Sequence, residues 1–308
     1  MRNLKLKELV DGVKRGDKFI LGKAITLVEN ETEEGWKLLK YLYEFRNKIF
    51  VLGITGPLGV GKSTFIDRII KGLSEEFGKT ALLLCDPTSP ISGGAFLGDR
   101  LRIKNAGENI FIRSMATRGF LGGISPTLPF ILDLISSSPF RFIIVETAGV
   151  GQGEVGISKF SHLTIVMLSP GLGDEIQLLK GGLMEISDVI VITKGDYKEA
   201  ESFFRGVKSG VSLYFKKKIP VHLVSSFNGK GINEVVESVI NKKREIEGGK
   251  EYEILEEKRR FETFKYLIRE RIIKNFVESF EKNGEIEDVK RGKVNIYRRI
   301  EEILKNWM

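Results

Sequence analysis

Gly56-Pro57-Leu58-Gly59-Val60-Gly61-Lys62-Ser63 follows an apolar run, Ile49 to Thr55, and precedes an amphipathic stretch from Ser63 to about Phe77. G-x-x-x-x-G-K-[ST] between a strand and a helix is the spacing of a phosphate-binding loop. Its glycines let successive backbone N–H groups turn inward around a phosphate, and the helix N-terminus adds partial positive charge. In this reading Lys62 reaches the β- and γ-phosphates, Ser63 holds a magnesium ion, and Thr64 completes the nucleotide-binding run.

Three further places carry chemistry. Phe142 to Val145 is an apolar run ending on Glu146, the Walker B position, where a carboxylate orients magnesium or its water. The usual Asp is replaced by Glu, one methylene longer. Gly149 follows, placed to give a backbone N–H to a γ-phosphate and sense its loss. Thr193-Lys194-Gly195-Asp196 closes another apolar run and is similar to the guanine-reading N-K-x-D signature. Asp196 would accept two hydrogen bonds from guanine N–H groups, and the Lys194 stem would lie over the base. Adenine offers no such donor pair, so a buried Asp196 would discriminate strongly. Thr193 stands where Asn is usual and leaves its orienting bonds to a shorter side chain. Ser225-Ser226, at the next strand end, suits a loop whose backbone meets the guanine carbonyl.

Asp86, closing Ala81 to Cys85, and Asp99, in a glycine-rich stretch, are further magnesium candidates; the latter has the composition of a loop that closes and releases. Gln152 is a candidate for positioning the attacking water.

Positioning these groups takes a sheet. Ile110 to Ile112, Leu163 to Leu168, Val189 to Ile192 and Val221 to Val224 join the runs above as short, largely unalternating apolar segments, which suit strands covered on both faces. With helical segments between them, the expectation is an α/β fold, a mostly parallel doubly wound sheet with its ligand at the carboxyl ends of the strands. Residues 1–47 read as a helical extension, 48–247 as the nucleotide-binding domain and 248–308 as a helical arm. In the arm Phe261, Phe264, Ile268, Ile272, Phe276 and Phe280 share one face and point to a homodimer.

The chain has 308 residues, a net charge of +8 and one cysteine, Cys85, read as a buried strand residue. From Glu245 onward basic and acidic residues balance, so the excess charge sits in the nucleotide-binding part and its leader and reads as a solvated surface rather than a nucleic-acid patch. No apolar run approaches the ~20 residues that cross a bilayer, and the expectation is a cytoplasmic protein with no membrane partner.

With these motifs assembled, the chain resembles the methylmalonyl-CoA mutase-associated GTPases. The resemblance runs from Gly16 to about Gly231 through Ala24 to Glu29, the phosphate loop, Asp86-Pro87-Thr88-Ser89-Pro90, Leu97-Gly98-Asp99, Glu146 to Gln152, Ser169 to Glu175 and Thr193 to Asp196. It implies a homodimeric GTPase that uses magnesium and assists an adenosylcobalamin-dependent acyl-CoA mutase, gating cofactor loading and protecting the enzyme. It also implies magnesium ligands at Ser63, Asp86, Asp99 and Glu146, and a coupling segment, Pro170 to Gly181, with Lys180 as its catalytic lysine. Three alternatives stand beside it, one of them an assembly module that binds GTP only to dimerise. A metallochaperone GTPase needs a thiolate or histidine cluster, for which the chain offers only Cys85, His162 and His222. A transport-system kinase, an older label of the family, needs a substrate to phosphorylate.

Overall fold

The computed structural model describes residues 5–87, 103, 107–118, 122–149, 154–171, 182–215, 218–282 and 284–307. Asp99, Gln152 and Lys180 lie outside the described residues, as does most of the segment from Pro170 to Gly181.

Seven strands form one parallel sheet in the order β3-β2-β4-β1-β5-β6-β7. They are β1 (Phe50–Thr55), β2 (Thr80–Asp86), β3 (Ile110–Ala116), β4 (Phe142–Glu146), β5 (Leu163–Leu168), β6 (Val189–Ile192) and β7 (Val221–Leu223). The register aligns their carboxyl ends: Ile54 faces Glu146, Glu146 faces Leu84, Thr55 faces Val166, and Leu168 faces Ile192. Every residue with expected chemistry that closes a strand therefore emerges along one edge.

β5 shows why the strands read as uninterrupted apolar runs. Ile165 and Met167 point into one core with Phe65, Ile66 and Ile69 of the helix after the phosphate loop, while Val166 and Leu168 point into the other with Phe203 and Val207. Successive residues face opposite sides, so two covered faces demand apolar residues at both. Cys85 is buried in β2, and burial pushes its thiol up to about 12.

Among the leader residues three α-helices form, α1 (Leu6–Arg15), α2 (Lys18–Glu29) and α3 (Glu33–Leu42). Asp17 caps α2 by accepting from the Phe19 and Ile20 amides, and Thr32 caps α3 through Gly35 N. β3 runs four residues beyond the expected Ile110 to Ile112. Its polar residue Arg113 donates to Glu29 and, at 3.0 Å, to Thr26 of α2, so a helix of the leader pairs the cation that would otherwise end the strand.

The α-helix α4 (Lys62–Phe77) follows the phosphate loop, and α5 (Leu128–Ser136) precedes β4; α6 (Ala200–Tyr214) and α7 (Ile232–Gly248) follow β6 and β7. A 32-residue helix, α8 (Glu251–Lys282), comes next. The chain divides into two compact units, Met1–Arg259 and Arg260–Met308. The first turns of α8 belong to the first unit through a buried network: Tyr252 donates to the Ile49 carbonyl (2.9 Å), and Glu256 lies 3.0 Å from His162 Nε2 and 2.8 Å from Arg259 Nε. In the second unit Phe261, Phe264 and Ile268 are exposed. No helix among the described residues is long and apolar enough to cross a membrane.

Candidate functional site

The phosphate loop turns on glycines in the left-handed region, Gly59 at φ 79° and Gly61 at φ 95°, where a side chain would strain the backbone. Lys62 folds back into this loop. Its ammonium is buried and donates to the Gly56 carbonyl at 2.6 Å and the Pro57 carbonyl at 3.3 Å.

Gly149 abuts that ammonium. A Cβ added at Gly149, which has φ 78°, would lie 2.7 Å from Lys62 Nζ and 3.2 Å from the Leu58 backbone. The loop after β4 is held to β1 by Thr147, whose N–H donates to the Ile54 carbonyl and whose hydroxyl donates to Thr55, both at 3.0 Å.

Ser63, the second residue of α4, donates to Glu146 Oε1 at 2.9 Å, and both are buried. Asp86, also buried, closes β2 beside β4, and its carbonyl accepts from Thr117 N at 2.9 Å. The donor set is a hydroxyl and carboxylates, all hard oxygens. Among the described residues no group of three His, Cys, Asp or Glu converges to hold a metal alone. Such a set fits magnesium, which takes one or two carboxylates and completes its shell with water and phosphate oxygens.

The turn after β6 lies on the other side of the loop. The Thr193 hydroxyl, buried, donates to the Val60 carbonyl at 2.7 Å, with the Leu168 carbonyl also within 3.2 Å. Lys194 adopts φ 56°, an uncommon state for a residue with a side chain. Asp196 is exposed, not buried as strong discrimination was expected to require, and the fully buried Ser225 donates to its Oδ1 at 2.7 Å. Gly195 permits this approach: its N–H donates to the Val224 carbonyl at 2.8 Å, and a Cβ there would come within 2.9 Å of the same oxygen.

A family model described as "Methylmalonyl Co-A mutase-associated GTPase MeaB" matches residues 21–281. The chain belongs to this family. A Pyrococcus abyssi protein named as a GTPase is 35% identical over 294 residues, covering 93% of this chain and 90% of its own. The Caenorhabditis elegans methylmalonic aciduria type A homolog, a mitochondrial protein, is 38% identical over 208 residues, 62% of this chain and 52% of its own. A crystal structure of an LAO/AO transport system kinase has the same fold, with a TM-score of 0.71, 22% identity and 99% of each chain covered.

This MeaB-family chain is a GTPase that binds guanine nucleotide. Its structure gathers Lys62, Ser63, Asp86, Glu146 and Gly149 on one side of the loop and Thr193, Lys194, Asp196 and Ser225 on the other. Thr64 is exposed on the first turn of α4 and Ser226 is half-buried beyond β7. Cys85, His162 and His222 sit on or beside β2, β5 and β7, strands that do not adjoin one another. Two relationships of the MeaB-family site had not been read from the sequence. Ser225 acts on Asp196 through its side chain while its own amide donates to the Lys230 carbonyl at 3.0 Å, and Gly149 makes room for Lys62. A serine after a short strand carries no local sign of the acid it will meet 29 residues away.

Proposed function

We propose that the chain hydrolyses GTP by in-line attack of water on the γ-phosphate, and that it does so in the service of an adenosylcobalamin-dependent acyl-CoA mutase. The observation that carries the reading is the pair of tethers on the phosphate loop, Ser63 to Glu146 on one flank and Thr193 to Val60 on the other, because together they fix the phosphate site relative to the base site.

In this reading the loop amides of residues 56–63 and the Lys62 ammonium take the phosphate charge, and they are in place before the reaction, so little reorganisation is needed. Lys62 leaves the Gly56 carbonyl for the β- and γ-oxygens. Ser63, Asp86, Glu146 and, from outside the described residues, Asp99 hold magnesium. A magnesium ion held there would supply positive charge against the negative charge developing on the transferring phosphate. Gly149 lends its N–H to the γ-phosphate, and Gln152 positions water. Asp196, steadied by Ser225, accepts from guanine, with the Lys194 stem over the ring and the Ser226 amide meeting the guanine carbonyl.

The mutase assignment rests on the family. Residues 1–47 form the helical extension, 48–247 the GTPase domain and 248–308 the arm. The exposed Phe261, Phe264 and Ile268 pair two copies into a homodimer, and Lys180 couples hydrolysis to the mutase. The protein gates cofactor loading, protects the mutase and works in the cytoplasm. The test is a client assay: mutase turnover followed over time with and without this protein and GTP, and GTP hydrolysis followed with and without mutase. Slower mutase inactivation together with faster hydrolysis supports the role; no mutual effect at saturating concentrations removes it.

A further inference from the structure

A second cavity, of about 450 Å³, opens at the opposite edge of the sheet from the phosphate loop. Its walls come from the end of α1, from residues 44–47 before β1, and from residues 137–141 between α5 and β4. β1 is six residues long, so the cavity lies about 20 Å from the loop at ~3.3 Å per residue.

Three cations reach this cavity, Lys14, Arg46 and Arg141, against one carboxylate, Glu44. Arg46 is already engaged: its Nε donates to the Tyr43 carbonyl at 2.9 Å, its plane stacks on Tyr43, and Nη1 lies 3.9 Å from Asp133. The other two are not spent. Arg141 uses Nη1 on the Ser136 and Ser138 carbonyls, which cap the end of α5, and three of its five N–H groups remain. Lys14 is exposed and rests its ammonium 3.6 Å over the Phe45 ring, a contact that satisfies charge but no hydrogen bond. Among the described residues neither Lys14 nor Arg141 forms an ion pair with a carboxylate. Burial also lowers the Arg141 guanidinium from its ordinary value, as expected for a cation whose desolvation is not repaid.

We propose that this cavity binds a small polyanion, a di- or triphosphate or polycarboxylate group, between the Arg141 fork and the Lys14 ammonium. A planar guanidinium with free parallel N–H groups matches two oxygens of one phosphate or carboxylate, and an ammonium lining the same cavity supplies a point charge to a third. The volume falls within the ~300–1,000 Å³ usual for small-molecule sites. Because Lys14 comes from α1 and Arg141 from the turn that leads into β4, the ligand bridges the leader and the sheet domain, so its binding also raises the unfolding temperature.

The experiment is calorimetric titration of pyrophosphate, and separately of citrate, into the full-length protein saturated with GDP and magnesium, so that the phosphate loop is occupied. The expected result is a saturable isotherm for at least one anion, with a Kd of about 1 mM or tighter. Arg141→Gln and Lys14→Gln each weaken it about tenfold, while GDP affinity is unchanged. Glu44→Gln tightens it, an outcome that a damaged fold does not produce. Absence of saturable heat for both anions overturns the proposal. So does an isotherm that Lys14→Gln and Glu44→Gln leave unchanged, or one abolished by Lys62→Ala, which would put the anion in the phosphate loop.

Discussion

The Thr193 hydroxyl donates to the Val60 carbonyl across 2.7 Å, tying the turn after β6 to the middle of the glycine-rich loop before α4. A hydroxyl has one proton to give, and the shorter contact takes it. Thr193→Val keeps the shape and leaves the buried Val60 carbonyl unsatisfied, at a cost of about 1–3 kcal/mol. GDP affinity falls about tenfold and the unfolding midpoint drops; unchanged affinity in a fluorescent-GDP titration counts against the tether.

Gly149 and Lys62 share one space. Gly149→Ala puts a methyl 2.7 Å from the ammonium and 3.2 Å from the Leu58 backbone, and the positive φ adds strain. The lysine yields first, because it is the flexible partner. Since displacement by about 1 Å can cost ~100-fold in rate, single-turnover hydrolysis falls by at least about tenfold, and GDP binds more weakly. Hydrolysis at the wild-type rate would show that the glycine is not needed there.

Ser225 holds Asp196 by one oxygen. Water reaches the exposed acid and competes for its oxygens, while this bond fixes how the carboxylate is aimed. Ser225→Ala frees it, and guanine over adenine selectivity drops about tenfold, in line with the ~1.5–3 kcal/mol of a hydrogen bond to a charged group. Competition by GDP and ADP against a fluorescent guanine nucleotide measures it directly; a loss of affinity equal for both bases would assign Ser225 to the fold instead.

The strands, the phosphate loop and the Walker B glutamate were legible because each is written in a few adjacent residues. Where a property depended on a distant partner it was not. From the sequence β3 spans Ile110 to Ile112, and Glu29 and Thr26 on α2 pair the Arg113 cation as the ladder continues to Ala116. His162, beside an apolar run, had been weighed only as a metal ligand. Its ring stacks on Tyr252 at 4.9 Å and accepts from the Val51 amide at 3.0 Å, both far away in the chain.

That histidine belongs to a network with a pH signature. Burial alone would raise the Glu256 carboxyl, but the approach of His162 at 3.0 Å and the hydrogen bonds and charge of Arg259 outweigh it and hold it at about 2. A depressed carboxyl contributes stability in full above its unfolded value near 4.5, and loses it as pH falls towards 2. Glu256→Gln lacks that contribution and leaves the buried Arg259 with Asp133 as its carboxylate, 3.2 Å away. The variant is less stable by about 3 kcal/mol near neutrality, and the gap to wild type narrows between pH 5 and pH 2. A gap that does not change with pH would contradict the linkage.

The most direct test of the central claim, that this fold grips a guanine nucleotide through Asp196, is a competition titration of fluorescent GDP with GTP, GDP and ATP, repeated with xanthine nucleotides on Asp196→Asn. The account predicts that guanine nucleotides displace the probe and ATP does not, and that the variant exchanges guanine for xanthine. Equal displacement by ATP, or a variant that still prefers guanine, would contradict it and return the turn from Thr193 to Asp196 to an ordinary surface loop.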